Sequence, residues 1–145
     1  MRPVFPPRTP KKQIVCISDT HGRHESVVVP NGDILVHSGD CTNKGLAHEV
    51  AEFLTWLEGQ PHPAKVLIAG NHDFLFEQEP KQAERLLREL APSVAYLNDS
   101  GVAVAGLKFW GSPVQPWFYD WAFNRHRGAE IQGHWDLSLN GRQTR

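Results

Sequence analysis

KVLIAGNHD, residues 65–73, decides the reading of this chain. After Lys65, four apolar positions, Val66 to Ala69, run straight into the polar turn Gly70-Asn71-His72-Asp73. A run so short and continuous, closed by a glycine, fits a strand buried on both faces and not one face of a helix. The pattern occurs twice more upstream. Asp33-Ile34-Leu35-Val36-His37 ends in Ser38-Gly39-Asp40, and Ile14-Val15-Cys16-Ile17 ends in Ser18-Asp19-Thr20-His21-Gly22. Between the second and third runs, Val50, Phe53, Leu54 and Leu57 recur at i, i+3, i+4 and i+7, which predicts a helix with one apolar stripe. Pro80 suits the first turn of a second helix, whose inward face would carry Ala83, Leu86, Leu87 and Leu90. Strands alternating with helices give an α/β fold with an at least partly parallel sheet.

Beyond the second helix the signal weakens. Val94 to Leu97 and Val102 to Trp110 flank Asn98-Asp99-Ser100-Gly101, a turn-forming cluster, so the two segments are expected to pair with each other. Gly111 to Arg145 is rich in Trp, Pro and Gly and reads as loop, with a short helix around Gly128 to Leu137. At the other end MRPVFPPRTPKK, residues 1–12, is broken by prolines and reads as a flexible arm.

Composition narrows the function classes. The 145 residues suit one domain, and 15 Lys+Arg against 16 Asp+Glu leave a formal charge of -1. No basic field is present to hold a nucleic-acid polymer or an anionic membrane. The opening prolines interrupt what a signal peptide needs as an apolar segment, and no apolar run approaches a membrane span. The two cysteines, Cys16 and Cys41, form neither a CxxC pair nor a disulfide framework and are expected to be small buried residues. A cytoplasmic protein is the expectation.

Three strands ending at one sheet edge bring their terminal turns together, and in α/β sheets that edge binds ligands. Asp19, His21, Asp40, Asn71, His72 and Asp73 therefore converge on one place. Oxygen and nitrogen donors without thiolate suit divalent manganese, iron or zinc better than a structural zinc site. Asp40, on the middle motif, is the natural bridge between two ions, which about 3.5–4 Å apart would hold the attacking and leaving oxygens of a displacement at phosphorus. His37 lies three positions before Asp40, on the opposite face of its strand, which favours a core or supporting role over ligation. Cys41 reads as packing. Arg23 and His24 either reach a substrate phosphate or lie in a solvated loop, and Trp117, Phe118 and Trp121 either wall a site for a nucleobase or aryl ester or simply pack.

DTHGR at 19–23, GD at 39–40 and GNHD at 70–73, in that order, resemble the first three motifs of the calcineurin-like metallophosphoesterases. DILVHSGD, KVLIAGNHD and GSPVQPWFYDWAFNRHRG resemble the subgroup called metallophosphoesterase domain-containing proteins. The resemblance runs from about Gln13 to Leu137. It implies a four-layer β-sandwich flanked by helices, of which the chain would hold the N-terminal part, apparently truncated, with residues 138–145 as a polar tail foreign to the family. It also implies Asp19 and His21 as ligands of one metal, Asp40 as the bridge and Asn71 as a ligand of the second. His72 would touch the reacting phosphate or protonate the leaving oxygen, and Asp73 would orient it. The implied activity is hydrolysis of a small phosphate ester, a phosphodiester of cyclic-nucleotide type.

Two later histidine motifs of the family have no counterpart. Gly133-His134-Trp135-Asp136 has aspartate where a second histidine belongs, and reads as a helix or loop segment. The second metal would then have only Asp40 and Asn71, so one ion or none should be held tightly. Three outcomes stay open: a working enzyme, a catalytically inert fragment that self-associates through an exposed sheet edge, or a site rewired by His126 or His134.

Overall fold

A computed structural model describes residues 11–139. The Pro-rich arm lies outside them except for Lys11 and Lys12, and so does the polar tail from residue 140 on. The three apolar runs form β1 (Ile14–Ile17), β2 (Ile34–His37) and β3 (Ala64–Leu67). With β4 (Val94–Tyr96) they make one parallel sheet in the order β1-β2-β3-β4. The apolar stripe forms α1 (Ala47–Glu58), the crossover from β2 to β3. A short α2 (Phe74–Gln78), not anticipated from the sequence, and α3 (Pro80–Leu90), with proline in its first turn, connect β3 to β4.

Alternation along the strands splits the core in two. Val15, Leu35 and Leu67 face α1 and α3, where Val50, Phe53, Leu54 and Leu57 are fully buried. Burying these four α1 side chains is worth roughly 6–12 kcal/mol before conformational entropy is charged against it. Ile34, Val66 and Leu97 face the other way, onto Val102, Val104 and Phe109 of an antiparallel hairpin, β5 (Ser100–Val104) and β6 (Leu107–Gly111). Lys65, whose chain is buried, sends its Nζ to the carbonyl of Glu58 at 2.8 Å, capping the C-terminus of α1.

Three expectations are corrected. Val94–Tyr96 does not pair with residues 102–110. It continues the parallel sheet beside β3, with Lys65 opposite Val94, because the intervening helices carry the chain back across the sheet. Residues 102–110 are not one strand. Val104 pairs with Leu107 around Ala105 (φ 51°) and Gly106 (φ 80°), a two-residue turn with both central residues left-handed, as a type I′ hairpin requires. Cys16 is exposed, because β1 is an edge strand whose outward positions, Ile14 and Cys16, lie uncovered, whereas Cys41 is buried.

The segment after β6 carries a minimal pair, β7 (Gln115–Pro116) and β8 (Asn124–Arg125), then α4 (Ala129–Leu139). That helix is the one expected around Gly128 to Leu137, starting one residue later and ending two later. No helix of the described residues is long and apolar enough to cross a membrane.

Candidate metal centre

The turns following β1 and β2 are laced together by main-chain hydrogen bonds. Asp19 N–H donates to the Gly39 carbonyl (3.0 Å), His21 N–H to the Asp40 carbonyl (3.0 Å) and Gly22 N–H to the Cys41 carbonyl (2.9 Å). Asp19, His21 and Asp40 all have left-handed backbone, at φ 55°, 42° and 55°. Such conformations cost a non-glycine residue on the order of 1–3 kcal/mol each, so strain gathers on three of the candidate residues. The second and third turns touch through glycine: a Cβ on Gly39 would lie 2.8 Å from Gly70 Cα, and one on Gly70 would lie 2.2 Å from Asp40 Oδ1.

His21, Asp40 and His72 each offer a ligand atom, and the three atoms lie within 4.8 Å of one another. The rings of His21 and His72 meet edge to face at 4.6 Å. Successive carbonyls of one loop fix both imidazoles: His21 Nδ1 donates to the Thr42 carbonyl at 3.1 Å, and His72 Nδ1 to the Asn43 carbonyl at 2.8 Å. A carbonyl only accepts, so each Nδ1 carries the hydrogen and each neutral ring keeps its lone pair on Nε2. Two unprotonated Nε2 atoms beside a carboxylate form a donor set that fits a borderline divalent cation.

Asp40 Oδ1 accepts the His72 N–H at 2.9 Å. Partial burial pushes the Asp40 carboxyl above its ordinary range; the His72 N–H opposes this and the neighbouring Asp73 charge adds to it. A bound cation would relieve that destabilised charge. Asp19 is exposed at the rim, its carboxylate 3.9 Å from His21 Nε2 and accepting from the Ser18 hydroxyl. The Asn71 carboxamide makes no hydrogen bond among the described residues, while its carbonyl accepts from Ala122 N–H at 3.0 Å.

Asp73 departs from expectation. Its carboxylate is wholly buried and does not hold the His72 ring, which rests on Asn43 instead. It accepts from Thr42 Oγ1 (2.7 Å), Gly70 N–H (2.8 Å), Thr42 N–H (2.9 Å) and, at 3.3 Å each, the N–H and thiol of Cys41. Asp73 thus ties the second turn to the third from beneath. Asp73 and His72 are neighbours in sequence, but Asp73 sits at the start of α2 with its side chain turned into the core.

Other sequence candidates separate cleanly. His24 is buried against Phe53 and Trp56 rather than aimed at the centre. Cys41 packs, as expected. His126 stacks on Trp117 at 5.2 Å, and His134, within α4, donates from Nδ1 to Asp99 at 2.6 Å, so each is engaged elsewhere. Trp121 lies over the His72 ring at 4.1 Å.

The model of the calcineurin-like phosphoesterase family matches residues 12–140. The chain belongs to that family. It is 39% identical over 149 aligned residues to metallophosphoesterase domain-containing protein 1 of Homo sapiens, covering 89% of this chain and 45% of that protein. It is 36% identical to a UPF0046 protein of Caenorhabditis elegans, covering 91% of this chain and 49% of that protein. The chain thus spans about half the length of these relatives. The family uses divalent metals, and the convergent His21, Asp40 and His72 of this metallophosphoesterase chain can hold one.

Two supports were not legible in the sequence. Thr42 and Asn43 act through backbone carbonyls, which leave no side-chain signature. Glu49, in the first turn of α1, accepts from Asn43 N–H (3.1 Å), Lys44 N–H (3.1 Å) and Leu46 N–H (2.9 Å). Its partial burial works the other way, but these three donors hold the carboxyl below its ordinary range. Glu49→Ala should cost about 1 kcal/mol in a urea melt, the usual worth of a helix-start cap, and should weaken metal binding by freeing the loop that carries Asn43. Equal metal affinity in the variant would detach Glu49 from the centre.

Behind the centre lies His37, fully buried against Phe53. Its Nδ1 accepts from Gly39 N–H at 3.3 Å, so Nε2 carries the hydrogen and donates to Thr20 Oγ1 at 3.1 Å. This is the supporting role expected for it. Burial lowers its pKa from the ordinary 6.5 to about 4. The unfolded chain therefore takes up a proton below pH 6.5 that the folded chain refuses until about pH 4. Stability present above pH 6.5 is lost as pH falls through that window, by about 3 kcal/mol in all. Denaturant melts of metal-free protein from pH 7 to 4 should show this loss, and His37→Gln should flatten it. An equally steep profile in the variant would assign the loss to other groups.

Proposed function

We propose that this chain is a metal-dependent phosphoesterase that hydrolyses phosphodiesters of cyclic-nucleotide type at the centre formed by the β1, β2 and β3 turns. The observation that carries the proposal is the approach of the His21, Asp40 and His72 ligand atoms within 4.8 Å, with both Nδ1 atoms tied to carbonyls. In this reading Asp19, His21, Asp40 and Asn71 would hold the metal, manganese being the first to try, and Asp40 would serve as the bridge if two ions bind. When bound, the metal supplies positive charge against the phosphate and lowers the pKa of water toward neutrality. With the His72 Nδ1 hydrogen held against Asn43, Nε2 is the atom left for the centre: unprotonated it can hold a metal, and only when carrying a second proton could it donate to a phosphate oxygen or to the leaving oxygen. Asp73 serves by holding the Asp40 and His72 turns together. A small phosphate ester is the proposed substrate, and a cytoplasmic setting is proposed because both cysteines are free thiols.

A second reading has its own support. Among the described residues His126 and His134 are occupied elsewhere, which favours a centre that holds one ion weakly and does not turn over. Calorimetric titration with Mn²⁺, together with turnover of bis(4-nitrophenyl) phosphate, separates the two. The enzyme reading expects stoichiometric binding and chelator-sensitive hydrolysis, both lost in Asp40→Asn. A single weak site without turnover supports the inert reading, and hydrolysis indifferent to chelator and to Asp40→Asn overturns the first.

A further inference from the structure

We infer that the cleft beside the centre, lined by Phe74, Phe118, Tyr119, Asp120 and Trp121, is a subsite for the flat aromatic group of a phosphate ester. The inference rests on the phosphoesterase reading for the place of the phosphate, and it adds which part of the substrate this chain recognises. The cleft has a volume of about 530 Å³, within the roughly 300–1,000 Å³ usual for small-molecule sites.

Three observations point to a ring. The first is apolar exposure that packing does not explain: Phe118 is 61% exposed and Tyr119 73%, on adjacent positions and set edge to face at 4.6 Å. Neighbouring aromatic side chains left in water mark a binding surface more often than a fold requirement. The second is that their loop is held rigidly. Buried Asn124 donates from Nδ2 to the carbonyls of Phe118 (3.3 Å) and Tyr119 (2.5 Å), and its Oδ1 accepts from Phe118 N–H at 3.3 Å. Tyr119 is fixed with left-handed backbone at φ 49°. A buried carboxamide thus presents two rings to solvent in a set geometry, which lowers the ordering cost of binding. The third is continuity with the centre. Trp121 forms one wall and lies 4.1 Å from the His72 ring, while the Asn71 carbonyl anchors Ala122.

Charge sets the direction of the ligand. Asp120 lines the cleft and repels phosphate, whereas His72, with His21 against it, adjoins the Trp121 wall. The phosphate therefore points to the imidazoles and the ring into the cleft, where the Asp120 carboxylate can accept from a ring N–H.

Calorimetry on this chain tests the inference with two pairs, adenosine 5′-monophosphate against ribose 5-phosphate and phenyl phosphate against methyl phosphate, each with Mn²⁺ and with chelator and each checked for released phosphate over the titration. The ring-bearing member of each pair should bind about tenfold tighter or more, the usual worth of stacking a base on aromatic side chains. In the Phe118→Ala/Tyr119→Ala variant that ratio should fall toward one while the ring-free ligands bind as before. Both side chains are exposed, so the fold should survive, and an unchanged thermal midpoint checks it. A preference for the nucleotide over phenyl phosphate that disappears in Asp120→Asn marks a nucleobase; equal binding of the two marks any aryl ring. Equal binding within each pair in the wild-type chain overturns the inference, as does a dimer in sedimentation that dissociates in the double variant. If Mn²⁺ strengthens no ligand but the ring preference persists, the phosphoesterase reading fails and the subsite stands.

Discussion

Asp73→Ala should remove about 3–5 kcal/mol of stability, a large share of the roughly 5–15 kcal/mol that holds a domain of this size together. The carboxylate is wholly buried and accepts five hydrogen bonds, from Cys41, Thr42 and Gly70. Truncation leaves the Thr42 and Gly70 N–H groups facing a cavity, each costing about 1–3 kcal/mol. Asp73→Asn distinguishes hydrogen bonding from packing. The amide keeps the shape but has one accepting oxygen, and its NH₂ confronts donors, so most of the loss should remain. Guanidinium melts of the three proteins give the comparison. If Asp73→Asn melts with the wild type, the carboxylate is filler and not the tie between the turns.

That role shows where the sequence was readable and where it was not. Continuous apolar runs ending in glycine turns announced β1 to β3 and placed Asp19, His21, Asp40, Asn71 and His72 at one edge, since strand order and the crossover rule suffice for that. The same rule, applied to α3 between β3 and Val94, would have made β4 parallel; the Asn98–Gly101 turn drew attention to the hairpin alternative instead. The hairpin itself lay hidden because Ala105 is an unusual partner for Gly106 in a type I′ turn, which is more often Asn-Gly or Asp-Gly. The family resemblance implied Asp73 as the residue that orients His72, its neighbour in sequence. At the start of α2 the two side chains diverge, one toward the centre and one into the core. Thr42 and Asn43 hold the imidazoles with main-chain oxygens, which any residue possesses, so no residue type could announce them.

The close approach of the second and third turns leads to the other large effect. Gly70→Ala should damage stability and metal binding together. A Cβ there would stand 2.2 Å from Asp40 Oδ1 and 2.4 Å from Asp40 N, and the second of these is backbone that cannot rotate away. Relief requires the two turns to separate. That movement pulls Asp40 Oδ1 from the His72 N–H, now 2.9 Å away, and Thr42 N–H from Asp73 Oδ1 at 2.9 Å. Overpacking of this kind costs about 1–3 kcal/mol. Metal affinity should fall about 10- to 100-fold, the usual consequence of disturbing what positions a ligand. Gly133→Ala is the control: a Cβ at Gly133, within α4, meets nothing within 4 Å and should raise stability by up to about 1 kcal/mol without touching metal affinity. Denaturant melts and Mn²⁺ calorimetry on both variants read the two quantities separately. Should Gly70→Ala bind Mn²⁺ as the wild type does, the glycine contact would be a folding requirement alone, and the geometry of Asp40 would not depend on the approach of the third turn.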